Sequence, residues 1–95
     1  MTKTIFFEAA SRKYAKIVSL RTPETARESV RKLARELNKA RTRKKRIYII
    51  RVANLAGNRA KVMSKNLRLS RRERDEAREI EQIYRKFVMK YRRYI

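Results

Sequence analysis

The sequence contains no cysteine, no histidine and no tryptophan. Without cysteine there can be no disulfides and no thiolate metal sites, and without histidine a zinc finger of the usual kind cannot form. The usual general bases and thiol nucleophiles of enzymes are missing for the same reason. The single glycine, Gly57, excludes a glycine-rich phosphate loop. We therefore expect a protein that is not an enzyme and that holds no metal or cofactor.

Long apolar runs and flexible linkers are also missing. No run of 18 apolar residues occurs, and the short apolar patch from Ile5 to Phe7 ends at Glu8. These features predict no transmembrane segment and no secretory signal, and hence a cytoplasmic protein. With one glycine and one proline in 95 residues, we expect a single domain that spans 1–95. The lack of Cys, His and Trp beside abundant Arg, Lys and Glu is typical of thermophiles.

Acidic residues are scarce, and the middle of the chain has none. There are 29 Lys and Arg against 9 Asp and Glu, which gives a formal net charge of +20. The interval 37–72 holds thirteen Lys and Arg and no acid. The outer segments instead mix the two signs at helical spacing: Glu28 with Lys32, Glu36 with Lys39, Asp75 with Arg78, and Glu81 with Arg85. A basic interval without acids of its own indicates an external polyanion, with nucleic acid as the first candidate.

Helical spacing of the apolar residues predicts the fold. Thr22, Pro23 and Glu24 are typical of a helix start, and an apolar stripe continues from them, so we predict a helix over 22–41. Ser70 and Glu73 fit a capping box ahead of a second stripe, which predicts a helix over 70–93. Residues 1–21 form an N-terminal helix or arm in this interpretation. The fold class is all-α: a small three- to four-helix single domain with a basic N-terminal helix or arm.

The middle segment allows two interpretations. Ile47 to Ile50 are β-branched and aromatic residues, which favour a strand over 47–52. Helical spacing nevertheless continues through Ala56, Ala60 and Met63, so we prefer a helix over 46–66. Residues 41–46 then form a cationic turn that leads into a packed helix. Such a turn would present its charges to phosphates at fixed spacing.

The candidate nucleic-acid-binding residues come from the acid-free interval. The turn supplies five cations, and one face of the middle helix supplies side chains every three or four residues. Lysine and arginine can neutralise phosphates along such a line, whereas asparagine can read base or sugar edges. The alternative is that this face is only the solvated side of an amphipathic helix. The full set is Arg41, Arg43, Lys44, Lys45, Arg46, Arg51, Asn54, Asn58, Arg59, Lys61, Lys65, Arg68, Arg71 and Arg72.

The segment VANLAGNRAKVMSKNL, residues 52–67, resembles the helix-turn-helix of lac-repressor-type DNA-binding domains. An alanine lies four residues before a turn glycine in that family, as Ala53 and Gly57 do here. Val62 and Met63 match apolar positions of its second helix. The resemblance implies that residues 59–66 form a recognition helix for the major groove. In the alternative interpretation, Gly57 is a close-packing point within one continuous helix.

The tail KYRRYI places Tyr91 and Tyr94 among cations, a pattern that can stack on unpaired bases. Tyr91 also continues the apolar stripe of the last helix, so packing is the interpretation that we prefer.

The composition is similar to that of small ribosomal proteins, which implies RNA, specifically rRNA, as the partner. Neighbouring ribosomal proteins are possible further partners. Every segment of the chain is net positive, and a protein within folded RNA meets phosphates from several directions, whereas a repressor needs few phosphate contacts. We therefore favour a structural RNA-binding protein. The alternatives are a DNA-binding protein, either repressor-like or an architectural or virion DNA-coating protein, and a partner of membranes or acidic proteins.

Overall fold

A computed structural model of the chain describes residues 17–94, and residues 1–16 and Ile95 lie outside the description. The described residues contain three α-helices, α1 (Pro23–Lys39), α2 (Arg43–Ser64) and α3 (Arg71–Tyr91), followed by one 3₁₀ turn, Arg92–Tyr94. No described residue forms a strand. The predicted all-α class is thus confirmed. The predicted N-terminal helix or arm falls almost wholly outside the described residues.

Local hydrogen bonds fix the starts of α1 and α3. The Thr22 hydroxyl accepts the Thr25 backbone N–H at 3.1 Å, and the Thr25 hydroxyl accepts the Thr22 N–H at 3.1 Å. The Ser70 hydroxyl accepts the Glu73 N–H at 3.1 Å, and the Glu73 carboxylate accepts the Ser70 N–H at 3.0 Å. Hydrogen bonds from Ser70 hold the pKa of Glu73 below its ordinary 4.5, and the bond from the Ser70 backbone has the larger effect. Both helices begin within one residue of the predicted start.

The middle helix begins earlier than predicted. The Thr42 hydroxyl accepts the Lys45 backbone N–H at 3.2 Å, so Thr42 is the N-cap and Arg43 is already helical. The prediction that residues 41–46 form a turn is therefore wrong for all but the first two. The residues from 47 to 52 are helical, which confirms the preferred interpretation over a strand.

One unbroken helix crosses the segment that resembles a helix-turn-helix. α2 continues through Gly57 to Ser64, and no described residue has a positive φ. The expectation of a turn at Gly57 with a separate recognition helix over 59–66 is therefore wrong. A Cβ placed on Gly57 would lie 3.5 Å from Tyr84 Cβ of α3, so Gly57 is a point of close packing between the two helices.

The three helices form an up-down-up bundle around one core. Leu33, Ile49, Ala53, Ile80 and Tyr84 are the centre of that core and are at most 1% exposed. α2 and α3 pack against each other extensively, and only the short turn 65–70 joins them, so they run antiparallel. α1 and α3 run parallel, since Arg27 pairs with Glu79 near the helix starts and Ala34 lies beside Phe87 further along.

A buried tyrosine attaches the segment that precedes α1 to the bundle. The Tyr84 hydroxyl donates to the Ser19 carbonyl at 2.7 Å. The Ser19 backbone N–H in turn donates to the Ser29 hydroxyl at 3.0 Å and to the Tyr84 oxygen at 3.1 Å. These bonds satisfy the phenol that the core encloses, which is the condition for burying a tyrosine without loss of stability.

Candidate nucleic-acid interface

Three helix ends meet at one end of the bundle: the last turns of α1 and α3 and the first turn of α2. The Arg46 guanidinium donates to the carbonyl of Ala40, the residue that ends α1, at 3.3 Å. Arg27 and Glu79 are 52 residues apart in the chain, and the same offset sets Lys39 level with Tyr91 along the parallel helices α1 and α3. The sequence-distant segments around residues 39, 43 and 91 therefore share one end of the molecule.

This end carries most of the net charge of the described chain. The halves of the three helices nearest to it, residues 32–53 and 82–94, contain fourteen Lys and Arg and one acid, Glu36. The opposite halves, residues 17–31 and 54–81, contain eleven Lys and Arg and seven acids. We call the concentrated group the cationic end. It consists of Lys39, Arg41, Arg43, Lys44, Lys45, Arg46, Lys90, Arg92 and Arg93.

The start of α2 opposes its own helix dipole. Four consecutive cations, Arg43 to Arg46, occupy its first turn, and no acid accompanies them. The partial positive charge of a helix N-terminus favours anions and disfavours cations by about 0.3–1 kcal/mol for each charge. α1 follows the usual preference with Glu24, and the first turn of α3 holds Glu73 beside three arginines, so α2 is the one described helix whose first turn has no acid. The first turn of α2 is therefore electrostatically unfavourable in the protein alone.

Arg46 differs from the other predicted cations of this end. Arg41, Arg43, Lys44 and Lys45 are exposed, whereas Arg46 is half-buried and binds the Ala40 carbonyl. Part of its hydrogen-bonding capacity therefore joins α1 to α2. The other four present their cations to solvent.

A second group of predicted residues follows one face of α2. Arg51, Asn54, Asn58, Lys61 and Lys65 are all exposed, and their spacing of three or four residues places them on one side of the helix. We call this group the α2 stripe. It extends for about 21 Å from Arg51 to Lys65 at 1.5 Å per residue. It starts beside the cationic end and leads away from it.

The remaining predicted residues do not join these two groups. The spacing of three or four residues had placed Arg68 on the face of the middle helix. Arg68 lies instead in the turn between α2 and α3. Arg71 and Arg72 open α3 beside Glu73, at the end of the bundle about 33 Å from the first turn of α2. Arg59 is exposed, but it lies about 100° around the helix axis from Asn58. The fourteen predicted residues are therefore spread over the length of the molecule and are not one patch.

The bundle adds cations that the sequence prediction left out. Lys90, Arg92 and Arg93 end α3, and Lys39 ends α1, so all four lie at the cationic end. Three of the four ion pairs predicted from spacing form: Glu36 with Lys39 at 3.9 Å, Asp75 with Arg78 at 3.6 Å, and Glu81 with Arg85 at 2.8 Å. The fourth, between Glu28 and Lys32, does not form among the described residues. A sign of the missing cations was present in the sequence, because residues 82–95 contain no acid.

Tyr91 has a packing role, as we preferred from its position on the stripe. It is half-buried, and its ring centroid lies 4.8 Å from that of Phe87. The Lys90 ammonium lies 5.3 Å from the Tyr91 ring centroid, which is within the range of a cation–π contact. The tyrosine thus supports the end of α3 that carries the cations.

Within residues 17–94, acidic side chains form no cluster suited to a metal ion. Among the described helices, none is both long enough and apolar enough to cross a membrane. Comparison with protein-family models, with curated proteins and with solved structures finds no match for this chain.

Proposed function

We propose that this chain is a non-enzymatic nucleic-acid-binding protein whose cationic end binds phosphates. The observation that carries the proposal is the first turn of α2. Four cations stand there against the helix dipole, without an acid, where the cationic ends of α1 and α3 meet. A bound phosphate would neutralise this repulsion.

Folding alone does not account for the arrangement. Self-repulsion among like charges destabilises a compact domain, and cations at a helix N-terminus add to that cost. The same chain places Glu24 and Glu73 in the first turns of α1 and α3, although arginines accompany Glu73, so α2 is the one described helix that starts without an acid. An anionic ligand gives the exception at α2 a physical reason.

RNA is the partner that we favour. The cations occupy one end of the bundle, a face of α2 and the distant turn around Arg68, so they face several directions. A folded RNA can bring phosphates to a small protein from several directions, whereas a DNA duplex is approached from one side. We therefore propose a small structural RNA-binding protein of the cytoplasm, ribosomal or ribosome-associated, with rRNA and neighbouring ribosomal proteins as partners.

Duplex DNA is the second candidate, and the unbroken length of α2 favours it. A helix of 22 residues with Arg51, Asn54 and Asn58 exposed on one face is an element that the major groove admits. Without the turn of a helix-turn-helix, the corresponding function would be architectural or DNA-coating.

A competition series distinguishes these partners. The protein is titrated with a structured RNA and with a duplex DNA of equal length, each labelled in turn and competed with the other, at increasing salt. We expect RNA to win across the series and the protein to co-sediment with ribosomal subunits. Preference for the duplex would mean that the partner is DNA. Failure to bind either at low salt would refute a nucleic-acid function.

A further inference from the structure

A groove runs between α2 and α3 beside the α2 stripe. Asn54 and Asn58 line it from α2, and Arg85, Val88 and Met89 line it from α3. Its volume is about 250 Å³. Gly57 and Tyr84 also line the groove, and the space beside Gly57 is open because glycine has no side chain.

The two amides of the groove are available to a ligand. Asn54 and Asn58 are exposed, and neither side chain bonds to another residue among those described. They stand one helical turn apart on the same side of the groove. Each offers one acceptor and two donor hydrogens, which is the combination that can bind the edge of a base.

The opposite wall offers apolar contact and a single cation. Met89 is 68% exposed although it is a large apolar residue, and Val88 beside it is half-buried. A thioether and a methyl group are suitable surfaces for the face of an aromatic ring. Arg85 is held by Glu81 at 2.8 Å, so part of its guanidinium fork is already engaged.

The surroundings of the groove favour a phosphate chain passing over it. Arg51 lies on the stripe before Asn54, and Lys61 follows Asn58, so exposed cations stand on both sides of the amide pair. None of the described residues that line the groove is acidic, and the neighbouring Glu81 is paired with Arg85. A backbone bound along the stripe would thus bring a base to the position of the amides.

We infer that the groove between α2 and α3 binds one unpaired base of a single-stranded nucleic acid, with adenine preferred. The preference follows from the presence of two amides, because an unpaired adenine presents two acceptor–donor pairs, N1 with N6–H and N7 with N6–H, and each asparagine matches one of them. Cytosine presents one such pair, and the two pairs of uracil share a single N3–H. Guanine presents one such pair, and its N7 edge has two acceptors, which suit an arginine fork, whereas Arg85 is partly occupied by Glu81. The inference rests on the proposed function and adds a base-reading site to its phosphate contacts.

The test uses short uridine oligoribonucleotides in which one central base is A, C, G or U. At fixed salt we expect the oligomer with A to bind about tenfold more tightly than the oligomer with U only. Replacing both amides, Asn54→Ala with Asn58→Ala, should remove this preference and leave the salt dependence of binding unchanged. The matched control is Asn38→Ala with Gln82→Ala, since both are exposed amides outside the groove. This control should keep the preference.

A second readout places the base directly. The side-chain amide resonances of Asn54 and Asn58 should shift in NMR spectra on addition of the oligomer with A, and those of Asn38 and Gln82 should not. Equal binding of all four oligomers, or a preference for A that survives in the double variant, would overturn the base site while leaving phosphate binding intact. If the wild-type protein binds structured RNA but none of the oligomers at low salt, the base site alone is overturned; if it binds neither structured RNA nor duplex DNA, the proposed function itself is removed.

Discussion

Gly57 of α2 and Tyr84 of α3 are so close that a Cβ on the glycine would lie 3.5 Å from the tyrosine Cβ. The distance is an ordinary van der Waals contact, so one methyl group fits there and a larger side chain does not. This relationship fixes how closely α2 and α3 pack. It also shows why no side chain larger than alanine fits at this position, although the backbone there is an unstrained helix.

Gly57→Ala should therefore keep the fold and raise the free energy of unfolding by up to about 1 kcal/mol, because alanine is the better helix former. Gly57→Leu should lower it, because the added atoms meet Tyr84. Both values are obtained from urea denaturation followed by circular dichroism. A loss of stability in Gly57→Ala would contradict this account of the contact between α2 and Tyr84.

Tyr84→Phe should destabilise the protein by about 1 kcal/mol, the usual net value of a hydrogen bond. The variant leaves the Ser19 carbonyl without the donor that lies 2.7 Å away, while the Ser19 N–H keeps its bond to Ser29. Urea denaturation at neutral pH measures the difference. A variant as stable as the wild-type protein would contradict the role given to this phenol.

The contribution of Tyr84 should also depend on pH. Burial raises the pKa of Tyr84 above its ordinary 10.0. A raised folded-state pKa means that its stabilising effect is complete below pH 10 and is lost as the pH rises through that higher value. The difference in unfolding free energy between wild type and Tyr84→Phe should therefore shrink above pH 10. All other ionisable groups are the same in the two proteins, so their contributions cancel in the difference.

Replacing Arg43, Lys44 and Lys45 by glutamine should stabilise the protein by about 1 kcal/mol or more at low salt, because cations leave the N-terminus of α2. Arg46 is kept, since it binds the Ala40 carbonyl. The comparison variant replaces Lys90, Arg92 and Arg93, which lowers the charge equally but removes cations from a helix C-terminus, where the dipole favours them. Thermal unfolding should show a higher Tm for the first variant than for the second. The reverse order would contradict the electrostatic account of α2.

The start signals of α1 and α3 could be predicted from the sequence, because Thr22 with Pro23 and Ser70 with Glu73 make local hydrogen bonds. The start of α2 could not, since its first turn consists of four cations and lacks the acid that normally marks a helix start. Thr42 was the remaining signal. The spacing of Ala53 and Gly57 led to a wrong prediction for a different reason, because glycine is suited both to a turn and to a close contact between helices.

The candidate site could be predicted in part. The acid-free interval 37–72 contains the cations of α2, which are neighbours in sequence. Lys90 and Arg92 join them only through the parallel register of α1 and α3, which is a tertiary property. The separation of Arg71 and Arg72 from the first turn of α2 needs no tertiary contact, because a short turn joins α3 to the far end of the unbroken α2. Helical spacing alone does not contain the register of α1 and α3.

The central claim is that phosphates bind at the cationic end, and the salt dependence of RNA binding tests it most directly. Each lost phosphate contact should lower the slope of log K against log salt concentration by a little under one. Three proteins are compared: wild type, the variant with Arg43, Lys44 and Lys45 replaced by glutamine, and a control with Arg21, Arg31 and Arg78 replaced. The control removes three exposed cations from the opposite half of the bundle. We predict a clearly smaller slope for the first variant and little change for the control; equal slopes in both variants would show that binding follows total charge and not this end.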